Sequence, residues 1–202
     1  MTAKHCCKAG FCREGDSVTL GDHDTDDFDV GEISIEIEEV KILPGCPDCD
    51  LALVILKEEA PSNRYIQAAN LPDLDEQCPP GKEVIVCGWG ADFYNHTRNE
   101  DKLWCVEQEC AVMGECPAYH PLPKEYALCT TNRDDRRNSP CHGDSGGPLT
   151  YTDENGKTTL LGVVQGPGRD EDEFDCKYSE VFSRVSHPNV LKWIKETIDL
   201  YA

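Results

Sequence analysis

The chain has 202 residues, enough for one large domain or two small ones. Its 39 acidic and 19 basic residues give a net charge of −20, which argues against nucleic acid and anionic membranes as partners. Thirteen cysteines point to an oxidising, extracellular setting, and the longest strongly apolar run, Leu51 to Leu56, is far too short to span a bilayer.

The chain opens on Thr2-Ala3-Lys4-His5-Cys6, with no secretory leader in view. Ser17 to Leu20 reads as a short strand. From Gly21 to Glu32, six carboxylates fall within twelve residues and repel one another unless something neutralises them. Calcium takes about six to eight oxygens, so this is a candidate calcium loop, although its glycine and glutamate are not at EF-hand positions. The plainer reading is a solvated acidic loop. Ile33, Ile35 and Ile37 alternate with Ser34, Glu36 and Glu38, a half-buried strand that runs on through Val40 to Leu43 and stops at Pro44-Gly45. Cys46-Pro47-Asp48-Cys49 has no second cysteine pair at zinc spacing, which favours a local disulfide over metal or redox chemistry. Leu51 to Leu56 reads as a buried strand with Asp50 at its mouth and Asp48 as a rival acid.

The polar, proline-bearing stretch from Pro61 to Pro80 reads as a connector. Glu83 to Cys87 is a strand closed by Gly88-Trp89-Gly90, and Asn95-His96-Thr97 is a glycosylation sequon in a polar loop. Leu103 to Val106 is a further strand, with Cys105 able to face Cys87 across a hairpin. Leu149 to Tyr151 and Thr159 to Val164 are strands joined by the turn Asp153-Glu154-Asn155-Gly156. Arg169 to Asp175 is acidic and expected to be exposed, and Val181 to Val185 is the last strand. Pro188 starts a helix in which Val190, Ile194, Ile198 and Tyr201 share one face, expected to be core.

The stretch Cys141-His142-Gly143-Asp144-Ser145-Gly146-Gly147-Pro148-Leu149 has the form of a nucleophile loop. Glycines on both sides of Ser145 allow a tight turn whose N–H groups can point at a substrate oxygen. A serine hydroxyl needs a base and the base needs an orienter. His5 and Asp50 are the candidates, and the order His, Asp, Ser is one of three known for such a triad.

Together these motifs resemble the trypsin/chymotrypsin family of serine endopeptidases, and Gly88-Trp89-Gly90 is a further landmark of it. The resemblance implies an all-β fold of two antiparallel six-stranded-type barrels with a C-terminal helix, the first barrel incomplete. Residues 1–66 would be the remnant of the N-terminal barrel, 67–80 the connector, and 81–202 the C-terminal barrel with the nucleophile loop. It implies peptide hydrolysis through an acyl-enzyme. Ser145 attacks, His5 carries the proton, Asp50 holds the imidazole, and the N–H groups of Gly143 and Ser145 form the oxyanion hole. It pairs Cys116 with Cys129 and Cys141 with Cys176. It leaves Cys6 without its usual partner, free or joined to a neighbour such as Cys12. In the acidic loop it assigns the side chains of Asp22, Asp29 and Glu32 and the carbonyls of Asp24 and Asp27 to calcium, with no cofactor needed for the chemistry.

Six residues before Ser145, Ser139 stands at the base of the implied substrate pocket. Glu180 stands on its wall, where the family usually has glycine, and Gln165-Gly166-Pro167 lines its mouth. A carboxylate at Glu180 favours a basic or mixed basic/aromatic side chain before the scissile bond. Lys4 replaces the small residue usual before the histidine. The family's freed N-terminus pairs with the acid at Asp144, and four residues reach at most about 14 Å, too short for Met1 to do so. The implied partners are protein or peptide substrates and protein protease inhibitors, for a secreted monomer with no nucleic acid and no membrane. The rival readings are a non-catalytic or zymogen-like relative that binds or regulates, and a small acidic calcium-binding module, which leaves the serine motif unexplained.

Overall fold

Alternation builds the first sheet. The computed structural model describes residues 1–46, 48–91, 100–112, 122–132, 139–167 and 179–201. In β2, Ile33–Ile42, the side chains of Ile35 and Ile37 are buried and those of Ser34, Glu36 and Glu38 face solvent, as a two-residue period demands. β1, Ser17–Leu20, and β3, Ala52–Leu56, pair antiparallel on either side of it. Ahead of this sheet lies a helix, α1, Lys4–Ala9. No periodicity announces it, because none of its six residues is buried.

The second unit is a closed barrel of six antiparallel strands in the order β4-β5-β6-β9-β8-β7. These are β4 Glu83–Gly88, β5 Trp104–Cys110, β6 Ala127–Asn132, β7 Pro148–Thr152, β8 Thr158–Pro167 and β9 Ser179–Arg184. β6 was not expected. Its Ala127 and Cys129 pack into the core shared with the terminal helix, while Leu128 faces the barrel interior. A strand buried on both faces shows no alternation. β5 is longer than expected, because buried Gln108 occupies an inward position between Val106 and Cys110 and hides the apolar period.

The terminal helix α2, Pro188–Tyr201, buries Val190, Leu191, Ile194 and Thr197. Val190 and Ile194 are core as expected, but Ile198 and Tyr201 are not, at 52% and 39% exposure. The helix runs past the end of the core, and the Tyr201 hydroxyl bonds Glu39 of the first sheet instead. One apolar cluster joins Leu43, Leu51 and Leu53 of the first sheet's end to Val163, Val181 and Ile194.

Disulfides join Cys46 to Cys49 and Cys87 to Cys105, as expected. Cys78–Cys110 adds a tie between the connector and β5. Of the two fates expected for Cys6, free or joined to a neighbour such as Cys12, it is free, because Cys12 bonds Cys7 instead. Gly10, at φ +97°, caps α1 and reverses the chain so that Cys12 returns to Cys7, while the Cys6 thiol lies 3.5 Å from the Ser145 carbonyl. Cys129 and Cys141 are disulfide-bonded. Their expected partners Cys116 and Cys176, like Asn95, lie outside the described residues.

The barrel grips the nucleophile loop through Asp144. Its carboxylate accepts the N–H of Gly90 and the N–H of Cys141, both at 2.8 Å. A Cβ on Gly88 or Gly90 would come within 2.0 or 2.4 Å of that carboxyl, so the Gly88-Trp89-Gly90 turn must be bare to receive it. Burial pushes the Asp144 carboxyl above the usual carboxylate range, and the two N–H groups pull it partly back. A group raised on folding contributes stability that is full below its unfolded value and lost as pH rises through its folded value. Asp144→Ala leaves two buried N–H groups without acceptors, at about 1–3 kcal/mol each. Urea unfolding should therefore show a deficit for Asp144→Ala that is largest at acidic pH and narrows as the pH rises above the carboxylate range. A deficit that grows with pH would contradict this account.

Candidate active site

Two chain segments bring His5 to Asp50. Thr2 pairs with Ala52 through two backbone hydrogen bonds of 2.9 Å, which sets the opening residues alongside the start of β3. Two residues on, α1 begins, and its first N–H groups lack partners within the helix. Asp50 supplies one: its Oδ1 accepts the His5 N–H at 2.7 Å. Its Oδ2 meets His5 Nδ1. One carboxylate thus holds both the backbone and the ring of the histidine, leaving Nε2 on the outer side of a half-exposed ring. Asp48 plays no part in this pair. Lys4 adds a contact from its Nζ to the Cys49 carbonyl.

The serine loop meets the same segment. Gly146, at φ +85°, lies so close to Thr2 and Ala3 that a Cβ there would be 2.2 Å from Thr2 Oγ1 and 3.0 Å from the Ala3 nitrogen. Gly146 donates its N–H to Val164 and Gly147 accepts from Val164, both at 2.9 Å, so the loop leans on β8. Gly143 is at φ +100°. Among the described residues the N–H groups of Gly143 and Ser145 donate to no protein acceptor, and no hydrogen bond joins Ser145 Oγ to His5. Catalytic contacts are commonly loose before substrate arrives. Burial, and then the Asp50 charge, push the Cys6 thiol up, so it stays protonated beside the site.

Gln165 reaches across to the first sheet. Its Nε2 donates to the Asp50 backbone carbonyl at 3.0 Å, tying β8 to the residue that holds the histidine. Gln165 was singled out in the sequence only for the substrate; an amide reaching across units leaves no local pattern. The backbones of Gly166 and Pro167 pair with Val181 and Glu180. Ser139 belongs to a polar chain. Its Oγ donates to Asn132 Oδ1 at 3.1 Å and lies 3.3 Å from Gln108 Nε2, and the Gln108 carbonyl in turn accepts from Thr130. Thr130 is the strand partner of Glu180, itself 1% exposed. The polar chain from Ser139 through Gln108 thus ends at Thr130, one strand pairing from Glu180.

In the acidic loop, Asp29 Oδ2 accepts the N–H groups of His23 and Asp24 at 2.6 and 2.8 Å, which holds its carboxyl below the usual range. Glu32 accepts from the Asp29 N–H, and Asp24 faces Lys102 at 3.6 Å. Asp22 Oδ1 is buried with no hydrogen-bond partner, and burial, with Glu32 and Asp29 nearby, pushes its carboxyl up. Among the described residues no three acidic, histidine or cysteine side chains converge as a metal cage. As placed, Asp24, Asp29 and Glu32 serve the loop's own N–H groups and Lys102, so this donor set does not fit calcium without rearrangement.

The Trypsin family model matches residues 1–194. Kallikrein-1E2 from Equus caballus is 31% identical across 98% of this chain and 76% of its own length. Anionic trypsin from Canis lupus familiaris is 27% identical across 98% of the chain and 75% of its own length. Ovochymase from Halocynthia roretzi is 30% identical across 90% of the chain, which spans only 12% of that longer relative. A three-stranded sheet, a closed six-stranded barrel and a terminal helix follow one another along a chain that carries the histidine, the aspartate and the serine loop in that order, and the chain belongs to the trypsin family of serine proteases.

Proposed function

We propose that the chain is a secreted serine endopeptidase that works through Ser145, His5 and Asp50. The observation that carries this reading is the double grip of Asp50 on the backbone and ring of His5, with the serine loop packed against Thr2 and Ala3 of the same segment. Ser145 Oγ attacks the peptide carbonyl while His5 Nε2 takes its proton. The oxyanion forms facing the uncommitted N–H groups of Gly143 and Ser145. His5 then returns the proton to the leaving amine, and water repeats the sequence on the acyl-enzyme. Asp50, held at its ring contact to Nδ1, keeps the imidazole in the tautomer that leaves Nε2 free to accept. Four disulfides among the described residues suit a secreted protein.

One observation favours the rival reading of a non-catalytic or zymogen-like relative: Ser145 and His5 are not hydrogen-bonded. A fluorophosphonate probe separates the two. The chain is expected to be labelled and Ser145→Ala to remain unlabelled. A folded parent that takes no label would assign this chain to the non-catalytic reading. Running both arms with and without calcium tests the acidic loop as well. The calcium reading rests on the buried, partnerless Asp22 Oδ1 and requires Asp29 and Glu32 to turn from their N–H partners. Titration calorimetry should then show calcium binding that Asp22→Asn abolishes, and the absence of heat with the parent would remove calcium from the account.

Specificity follows from Glu180. Its buried carboxylate beside the Ser139 to Thr130 chain favours a Lys or Arg side chain before the scissile bond, with aromatic side chains also accepted. Peptide libraries should show that preference in the parent and its loss in Glu180→Gly. A Glu180→Gly variant that keeps cleaving after Lys and Arg would place the determinant elsewhere.

A further inference from the structure

Two oddities of the sequence meet in space. A lysine precedes the histidine, and a four-residue cysteine loop immediately precedes the aspartate. The Lys4 ammonium sits on the carbonyl of Cys49. Lysine at this place does nothing for its own helix. Lys4 is the first residue of α1, where a positive charge opposes the helix dipole, and no acidic residue of the first turn offsets it. The side chain is half-buried, and a partly desolvated ammonium must find acceptors.

The acceptor is unusually fixed. Cys49 is 1% exposed, is bonded to Cys46, and donates its N–H to the Cys46 carbonyl at 3.1 Å. Lys4 is the chain neighbour of His5, and Cys49 is the chain neighbour of Asp50. The Lys4–Cys49 contact therefore runs beside the His5–Asp50 contact, one residue upstream on both segments. Both bonds from Asp50 to His5 end on one carboxyl group, which can turn as a unit. An offset contact outside that carboxyl limits this turning and fixes how the imidazole presents Nε2 to Ser145.

We infer that Lys4 is a positioning residue: seated on the disulfide-stapled carbonyl of Cys49, it holds the Asp50 carboxylate and His5 in register. The inference rests on the triad reading proposed above, but the contact can be tested without activity. The His5 N–H donates to Asp50 Oδ1, so its hydrogen exchange reports that register directly. The N–H groups of Thr2 and Ala52, each donated to the other residue's carbonyl, report the segment as a whole.

In Lys4→Met, amide exchange by NMR should quicken at His5 by about tenfold or more, with Thr2 and Ala52 unchanged. Lys4→Arg should restore His5 protection to within about threefold of the parent, since guanidinium also donates to a carbonyl. The fluorophosphonate labelling rate at saturation should fall about tenfold in Lys4→Met with the half-saturating concentration unchanged, the signature of lost orientation rather than lost binding. Unchanged protection at His5 in Lys4→Met overturns the inference, and so does equal loss at Thr2 and Ala52, which marks a merely structural role. If the parent takes no label, the peptidase reading fails, and exchange at His5 still decides the part played by Lys4.

Discussion

Everything at this site depends on one carboxylate having two duties. Asp50 satisfies a helix-terminal N–H of α1 with one oxygen and the imidazole of His5 with the other. A short helix has little stability of its own, and α1 buries none of its residues. Its geometry is therefore borrowed from its ends: the Thr2–Ala52 pair before it, Asp50 at its first turn, and Gly10 with the Cys7–Cys12 bond after it. A helix stabilised in this way cannot change its tilt without loosening the histidine. Stability and ring orientation are one constraint here.

The serine comes to that histidine from the other unit, and its loop is held from two sides. Asp144 anchors it to the bare turn at Gly88 and Gly90, while Gly146 and Gly147 pair with Val164 of β8. Between these anchors the backbone passes so close to Thr2 and Ala3 that no side chain fits at Gly146. Gln165, one residue along β8 from Val164, reaches the Asp50 carbonyl. The same strand thus supports both the loop and the acid, so a displacement of β8 carries them together. Relative geometry between the two units is protected even though the residues concerned come from distant parts of the chain.

How much of this could be read from the residues follows from range. Strands with one wet face were legible because alternation is local, as in Ile33 to Ile37, and the serine loop was legible because its glycines answer to local backbone demands. β6 was not, since its two faces are both buried and its pattern is flat. The apolar stripe of α2 was misjudged at Ile198 and Tyr201, where helical period says which residues align but not where the barrel ends. The free thiol of Cys6 and the bond of Cys7 depend on an unannounced helix that turns two adjacent cysteines to different sides. Asp50 was preferred to Asp48 for its place just before the strand, but its grip on the His5 backbone needs the helix as well.

The barrel interior holds the least expected chemistry. Gln108 and Thr130 occupy inward positions at 1% and 0% exposure, beside the apolar inward residues Val106, Cys110 and Leu128. Polar groups in such a place are costly unless bonded to one another, and a chain from Thr130 through Gln108 to Ser139 meets that need. An apolar filling of the same shape would serve stability at least as well. Beside that chain lies the buried carboxylate of Glu180, the strand partner of Thr130. A buried carboxylate gains from a cation only when the surrounding donors are fixed beforehand, since dipoles that must reorganise give back much of the attraction. The bonded amide of Gln108 and its hydroxyl neighbours lie one strand pairing from that carboxylate, so the proposed preference for a basic side chain would draw on a surround that is already fixed.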